Sequence, residues 1–218
     1  MEALQKQKVK IITIDDKEYP EMLKTIYDYP VSLFIKGDEK ILNMPAIAIV
    51  GCRECSSYGE KVAQYFAYYL SKKHINIISG LAKGIDSQSH IGALKAKGRT
   101  IGVIGSGLDI VYPKENQYLY DKIIEENGAI ISEYPLGVKP EKMNFPARNR
   151  IISGMSQGIL VVEAKKKSGT LITVDFALEQ GRDVYVVPGN IDEINSVGTN
   201  DLIKQGARMV TTYKDIDI

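Results

Sequence analysis

The residues best suited to chemistry in this chain lie in one short stretch, 145–154, with the sequence Phe-Pro-Ala-Arg-Asn-Arg-Ile-Ile-Ser-Gly. Pro146 has a fixed φ and no backbone N–H, which suits the first turn of a helix. A helix beginning there leaves its first N–H groups unpaired, and Arg148 and Arg150 beside them make a potential phosphate site. Phe145, just outside the helix, could stack on a base. An ordinary helix start with a core phenylalanine and two solvated arginines is the alternative for this stretch alone.

Further basic residues accompany the stretch. The preceding loop and the helix carry four cations against one acid: Lys139, Lys142, Arg148 and Arg150 against Glu141. Arg53 and Lys114 are expected to project from the same rim. With Phe145, these side chains predict a phosphate-lined groove with one aromatic stacking platform. The lysine run 165–167 is interpreted as a solvated loop, because charge runs alone carry little information.

The remaining polar residues suggest no catalytic or metal-binding arrangement. A Gly-x-Ser-x-Gly nucleophile elbow is absent, and His74 and His90 lack the paired spacing of a zinc site. Cys52 and Cys55 have the Cys-x-x-Cys spacing of a redox pair or half a zinc site, but cytosolic cysteines are usually reduced and structural. The sequence therefore predicts a binding protein, not an enzyme, with no catalytic residues, metal or cofactor.

Composition and charge narrow the class of protein. The chain has 218 residues, of which 44% are hydrophobic and 25% charged, as in an ordinary globular protein. The net charge of +1 gives no global attraction to nucleic acid, so any anion site must be a local pocket. No apolar run approaches membrane-spanning length, and the polar start Met-Glu-Ala-Leu-Gln-Lys lacks the apolar core of a signal peptide. We expect a cytoplasmic protein without membrane association.

The elements that must position these residues alternate from residue 46 onward. Short apolar runs predict strands at 46–50, 75–78, 100–104, 129–132, 159–162, 184–187 and 207–210; helical spacing lies at 58–72, 86–97, 116–126, 171–180 and 201–205. Unalternated β-branched strands are typical of a sheet buried on both faces. The predicted fold class is α/β: a doubly wound, mostly parallel sheet with helices on both faces. Residues 1–44 are predicted to form a strand–helix–strand extension of the main domain, residues 45–218.

Ligands of such a sheet bind beyond the carboxyl ends of its strands. Gly51, Gly80 and the run 105–107 follow strands, where glycine lets backbone amides approach a ligand closely. A Gly-x-Gly-x-x-Gly opening the first helix and a P-loop motif are both absent, which disfavours dinucleotide and P-loop NTPase functions. Carboxylates at this edge are interpreted as helix caps or arginine partners: Asp86, Asp109, Glu133 and Glu163.

Ordered motifs over nearly the whole chain resemble the DprA/Smf family of DNA-processing proteins of bacterial natural transformation. The matching runs lie at 49–53, 79–86, 105–116, 132–137, 145–154, 168–171, 187–189 and 198–203. The resemblance implies that residues 45–218 form an extended Rossmann-like DNA-binding domain that binds single-stranded DNA without sequence preference. It also implies a homodimer that loads the RecA recombinase onto incoming strands during competence, natural transformation and DNA recombination.

The resemblance also assigns site residues. The family's DNA pocket carries over to five cations and one aromatic residue: Arg53, Lys114, Lys142, Arg148, Arg150 and Phe145. Further DNA-binding candidates lie along the same rim: Gly51, Gly80, Lys83, Asn116 and Asn149. Position 52 is cysteine where the family usually has serine or threonine, which removes any hydroxyl contact there. The dimer surface is expected around residues 203–210.

Two alternatives stay open at this point. The fold is also similar to that of the nucleotide-processing lysine-decarboxylase-like family, whose Pro-Gly-Gly-x-Gly-Thr-x-x-Glu motif is replaced at 167–173. The catalytic glutamate position is missing, which disfavours hydrolysis but leaves nucleotide binding or nucleotide sensing. A weaker alternative is a redox protein built on Cys52 and Cys55.

Overall fold

A computed structural model describes residues 2–218, and Met1 lies outside the described residues. The strands are β1 (Lys10–Thr13), β2 (Ser32–Gly37), β3 (Ala46–Val50), β4 (Asn76–Ser79), β5 (Thr100–Val103), β6 (Ala129–Ser132), β7 (Gly158–Val161), β8 (Asp183–Val186) and β9 (Arg208–Met209). They form one nine-stranded sheet in the order β1-β2-β6-β5-β4-β3-β7-β8-β9. The pairs β1–β2 and β2–β6 are antiparallel, and all other pairs are parallel. The prediction of a mostly parallel sheet is confirmed.

Within residues 2–218, seven α-helices connect or flank these strands. They are α1 (Glu2–Lys6), α2 (Ser57–Lys72), α3 (Ile85–Lys95), α4 (Gln117–Glu125), α5 (Asn144–Gly154), α6 (Gly169–Glu179) and α7 (Val197–Lys204). Among residues 2–218, no helix combines the length and the apolar character needed to cross a membrane.

The centre of the sheet is buried on both faces. In β3, Ala48 and Val50 pack into the core beneath α5 and α6, whereas Ile47 and Ile49 pack beneath α2 and α3. Every β3 residue is buried, because successive strand side chains point to opposite faces and both faces carry helices. The doubly wound arrangement predicted from the apolar runs is therefore present.

The N-terminal segment adds β1 and β2 to the same sheet. β2 pairs with β6 from Phe34 opposite Ser132 to Gly37 opposite Ala129. Tyr19 is fully buried in the core shared with α5, and its hydroxyl donates to the carbonyl oxygen of Pro30. This segment is thus packed on the main sheet.

Some element boundaries differ from the prediction. The helix expected to begin at Pro146 begins at Asn144, so Phe145 lies inside its first turn and not outside it. Pro146 still lies in the first turn, where its missing N–H is not needed. The helix predicted within the N-terminal extension is the 3₁₀ helix Glu21–Thr25, and α7 begins earlier than residue 201.

Candidate nucleic-acid interface

An aromatic ring and a cation meet at the edge formed by the carboxyl ends of the parallel strands. Arg53, in the loop after β3, places its guanidinium carbon 5.6 Å from the centroid of the Phe145 ring. The Tyr112 ring lies 5.5 Å from the Phe145 ring, tilted by 39°, and 49% of Tyr112 is exposed. Arg53 is exposed and Phe145 half-buried. These three side chains, here called the Phe145 platform, form an accessible aromatic surface with a positive charge beside it.

Arg148 lies one turn further along α5 and is buried, with only 4% exposed. Its Nη1 donates to the carbonyl oxygens of Gly80, at 2.8 Å, and Val103, and its Nε donates to Oδ1 of Asn149 at 3.3 Å. Burial lowers the pKa of Arg148 to about 10, with the charge of Asp86 opposing the decrease and that of Arg53 adding to it. Arg148 is therefore still charged at neutral pH, and a buried positive charge lies close to the platform.

Asp86 and Gly80 complete the surroundings of Arg148. The Asp86 carboxylate accepts a hydrogen bond from the Gly80 N–H at 3.0 Å. Burial raises the pKa of Asp86, and the charge of Arg148 opposes that rise. A Cβ at position 80 would lie 2.7 Å from Oδ2 of Asp86 and 2.8 Å from Nη2 of Arg148. Glycine at position 80 is what lets both side chains approach the backbone at the end of β4.

The loop between β4 and α3 is held in an uncommon backbone conformation. Leu81, although not glycine, has a φ of 54°, and Gly84 has a φ of 74°. Asn116 fixes the loop, since its Nδ2 donates to the Leu81 carbonyl at 2.8 Å and to Oγ of Ser87 at 2.9 Å. Backbone strain of this kind persists where surrounding contacts enforce it, and it is concentrated at functional sites.

Arg150 is placed differently from its predicted role. Its Nη2 and Nη1 donate to the two carboxylate oxygens of Glu133 at 2.8 and 2.9 Å, and its Nε donates to Oδ2 of Asp28 at 3.0 Å. The side chain is 8% exposed. With its donors used inside the protein, the structure does not support Arg150 as a phosphate ligand. It instead ties the 27–31 loop and the end of β6 to α5.

The predicted lysines differ in whether they form a salt bridge. Lys114 and Lys142 are exposed, and within residues 2–218 neither forms a salt bridge. Lys83 pairs with Glu115 at 2.7 Å on the surface. An exposed pair of this kind is weak in water, so Lys83 can exchange its carboxylate for a phosphate at little cost.

Gly51 and Asn149 pack against or hydrogen-bond to other residues of the site. A Cβ on Gly51 would lie 2.6 Å from Cγ1 of Ile85, so this glycine permits close packing of α3 on β3. Asn149 receives the Nε of Arg148 and donates to the Gly169 carbonyl at 3.5 Å. Gly51 thus helps to position α3, and Asn149 helps to position Arg148.

Two residues of the site were not singled out from the sequence. Tyr112 contributes the second ring of the Phe145 platform. Asn144, buried, donates from Nδ2 to the Gly105 carbonyl at 3.0 Å and so attaches the start of α5 to the end of β5. In the sequence, these residues are marked only by their neighbours: Tyr112 precedes a proline in a matching run, and Asn144 precedes Phe145.

The strand-end carboxylates form hydrogen bonds within the protein. Glu163 and Glu133 act as the expected helix cap and arginine partner, whereas Asp109 instead bonds a loop N–H. Glu163 accepts from the backbone N–H of Ser56 at 2.9 Å and from its hydroxyl, just before α2. Glu133 pairs with Arg150, and Asp109 accepts from the Gly137 N–H at 2.9 Å. Across the described residues, no group of three His, Cys, Asp or Glu side chains converges to hold a metal ion.

The two cysteines lack the features of a redox pair. Both are free thiols, Cys52 buried and Cys55 half-buried. Burial raises the pKa of Cys52, and burial together with Glu60 raises the pKa of Cys55 to about 11. A reactive cysteine needs a lowered pKa, so the structure does not support the redox hypothesis.

Comparison with known proteins places these features in a family. The model of the family described as DNA recombination-mediator protein A matches residues 10–217. The DNA processing protein DprA of Bacillus subtilis is 46% identical over 215 residues, which cover 98% of this chain and 72% of that protein. DprA of Streptococcus pneumoniae is 47% identical, with 96% and 74% covered. Protein Smf of Escherichia coli is 45% identical, and this chain spans 55% of its length.

Solved structures agree with the sequence comparison. The X-ray structure of DprA from Streptococcus pneumoniae has a TM-score of 0.91 at 46% identity and covers 98% of this chain and 76% of that chain. DprA from Helicobacter pylori, described with a unique single-stranded DNA binding mode, has a TM-score of 0.85 at 30% identity, with 94% and 93% covered. The molybdenum cofactor binding protein of Rippkaea orientalis, at 18% identity and a TM-score of 0.56, covers 78% of this chain and 91% of that chain and shares the fold alone.

Proposed function

Since this chain belongs to the DNA recombination-mediator protein A family, we propose that it binds single-stranded DNA without strong sequence preference at the Phe145 platform. The observation that carries the proposal is the accessible ring of Phe145 with Arg53 at 5.6 Å and Tyr112 at 5.5 Å. Aromatic rings that stack bases, flanked by cations that hold phosphates, are the usual means of binding single strands. The relative from Helicobacter pylori is described as binding single-stranded DNA.

The geometry gives each side chain a role. Phe145 and Tyr112 stack on unpaired bases, which a duplex does not offer. Arg53, Lys114 and Lys142 are exposed cations that neutralise phosphates. Arg148, held by the carbonyl oxygens of Gly80 and Val103, adds a fixed positive charge beneath the platform, which buried Asp86 partly offsets.

The wider role proposed for the protein follows from family membership. We propose a cytoplasmic, homodimeric, non-catalytic mediator that loads the RecA recombinase on single strands during natural transformation and recombination. The absence of catalysis is supported by the structural roles of Glu133 and Glu163 and by the raised pKa values of the two cysteines. Light scattering tests the dimer, and RecA filament assembly on oligonucleotides, with and without this protein, tests the loading.

Fluorescence anisotropy of labelled oligo-dT at low and physiological salt tests the DNA site. We expect salt-sensitive binding that prefers the single strand over a duplex of equal length. Arg53→Ala should weaken binding and reduce the slope of log affinity against log salt by about 1. Arg99→Ala is the matched control, because Arg99 is exposed and precedes β5 at the opposite edge of the sheet. Equal affinity of wild type and Arg53→Ala at every salt concentration would remove Arg53 from the site.

A further inference from the structure

A second cavity opens on the same edge of the sheet, between the start of α2 and the β8–α7 connection. Its volume is about 510 Å³, within the usual range of small-molecule sites. The side chains that matter below line it: Ser56, Tyr58, Glu163, Asn190, Glu193 and Ser196. It lies where β3 is flanked by β4 on one side and β7 on the other. This switch in strand order is where doubly wound sheets bind ligands.

The walls of the cavity are fixed by internal hydrogen bonds. Tyr58 is 51% exposed, and its hydroxyl donates to the Pro188 carbonyl at 3.2 Å, which sets the orientation of the ring. Asn200 holds Gly189 from both sides, accepting from its N–H at 3.2 Å and donating to its carbonyl at 3.0 Å. A Cβ at position 189 would lie 2.0 Å from Oγ of Ser196. The cavity is therefore formed before any ligand arrives.

The lining favours a ligand that donates hydrogen bonds. Glu163 and Glu193 contribute two carboxylates, and the described lining residues include no lysine or arginine. Asn195, which is buried and not part of the lining, donates to Glu163 at 3.4 Å. A phosphate would be repelled here, whereas an amino group would find acceptors. The half-exposed ring of Tyr58 adds a surface for a flat aromatic ligand.

We infer that this cavity binds a nucleobase carrying an exocyclic amino group, stacked on Tyr58 with its amino group toward the carboxylates. The inference rests on the proposed function, because Arg53 of the Phe145 platform lies in the loop between β3 and α2, and Tyr58 lies in the first turn of α2 that follows. One strand can then contact both, with phosphates on the cations and a base in the cavity. Cytosine, adenine and guanine carry the amino group, whereas thymine offers only its ring N3–H as a donor, so the otherwise non-specific site acquires a base preference.

The test compares a 20-residue oligomer of alternating thymine and cytosine with oligo-dT of the same length, by anisotropy. Wild type should bind the mixed oligomer roughly tenfold more tightly, as expected of one stacked, hydrogen-bonded base. Tyr58→Ala should bring the ratio of the two dissociation constants to about 1, and Tyr58→Phe should keep it. Tyr68→Ala is the matched control, since Tyr68 lies on α2 about 15 Å further along the helix. An unchanged ratio in Tyr58→Ala overturns the inference, and so does a wild-type ratio near 1 when neither nucleoside below binds.

A second arm separates this inference from the proposed function. Deoxycytidine and thymidine, which carry no phosphate, are titrated into the protein while the Tyr58 ring signals are followed by NMR. Shifts with deoxycytidine and not with thymidine support the cavity even if no oligomer binds, and then assign it to free nucleosides. No shift with either nucleoside, together with an oligomer ratio near 1, overturns the inference while Arg53-dependent binding of oligo-dT still stands.

Discussion

The two halves of the strand-end edge are built with opposite charge. Around the Phe145 platform, exposed Arg53 and buried Arg148 supply positive charge, and the charge of Arg148 is partly offset by buried Asp86. Around the Tyr58 cavity, Glu163 and Glu193 supply negative charge. The cationic half pairs its charges with the rings of Phe145 and Tyr112, and the acidic half with the ring of Tyr58. The difference shows how one edge of a sheet can hold the backbone of a strand in one half and a base in the other.

The halves also differ in how a buried charge is satisfied. Arg148 donates to carbonyl oxygens of two strand ends, and Asp86 lies near its charge without a hydrogen bond to it. Glu163 accepts from the Ser56 backbone and hydroxyl, which stabilises the start of α2. A buried charge is tolerated only when it is hydrogen-bonded. The groups that hydrogen-bond to Arg148 and Glu163 here are uncharged, so these bonds do not neutralise either side chain.

Among the variants considered, Arg148→Ala should cause the largest loss of stability and of DNA binding. Arg148→Ala leaves Asp86 buried beside two unpaired carbonyl oxygens, and we expect a loss of about 3–5 kcal/mol in the free energy of unfolding together with loss of DNA binding. Urea denaturation measures the first and anisotropy the second. Arg99→Ala, at an exposed position, should change stability by less than about 0.5 kcal/mol. A stable, fully binding Arg148→Ala variant would contradict the role given to this charge.

Truncation of the platform ring should weaken binding without unfolding the protein. Phe145→Ala is expected to cost roughly 1–3 kcal/mol of binding free energy, the usual value of one stacked base. Phe145→Tyr keeps the ring and should bind oligo-dT nearly as wild type does. Anisotropy gives the affinities, and circular dichroism confirms that each variant is folded. Equal affinities for the Ala and Tyr variants would show that no base stacks on this residue.

Lowering the pH should decrease the free energy of unfolding of the protein, because His90 of α3 lies buried near Arg148. The ring is fully buried, and burial followed by the charge of Arg148 lowers the pKa of His90 to about 3. Between the ordinary pKa of about 6.5 and this value only the unfolded chain gains the proton. Stability from this group is therefore complete above pH 6.5 and falls as the pH decreases, by up to about 1.4 kcal/mol per pH unit.

His90→Gln isolates that effect. Urea denaturation at pH 7, 5.5 and 4.5 should show a shallower loss of stability in the variant than in wild type. The raised pKa of Asp86 acts in the opposite direction, because the folded state then holds the proton more tightly, but it is present in both proteins. Parallel pH profiles would show that His90 is not buried as the neutral ring.

The smallest expected effect is a change of charge in the acidic half. Glu193 is exposed, so Glu193→Lys should leave stability almost unchanged. One added phosphate contact should tighten oligo-dT binding a few-fold at low salt and steepen the salt slope by up to about 1. It should also reduce the preference for cytosine. An unchanged salt slope would mean that the strand does not reach this half.

The amino-acid sequence by itself determined the order of elements and the edge at which the site lies. Apolar runs without alternation required a sheet buried on both faces, and parallel strands bring their carboxyl ends together, so Arg53 and Phe145 converge although 92 positions separate their numbers in the chain. The partner of each charged residue was not determined at this level, because it depends on which distant segments pack together.

Arg148 and Arg150 show what only the tertiary structure decided. They are two residues apart, and about 200° of helix rotation places them on opposite sides of α5. Arg148 meets the carbonyl oxygens of Gly80 and Val103, whereas Arg150 meets carboxylates, including that of Asp28, which precedes it by 122 positions. Two arginines of identical chemistry thus receive different roles, because the packing of remote segments decides which partner each guanidinium meets.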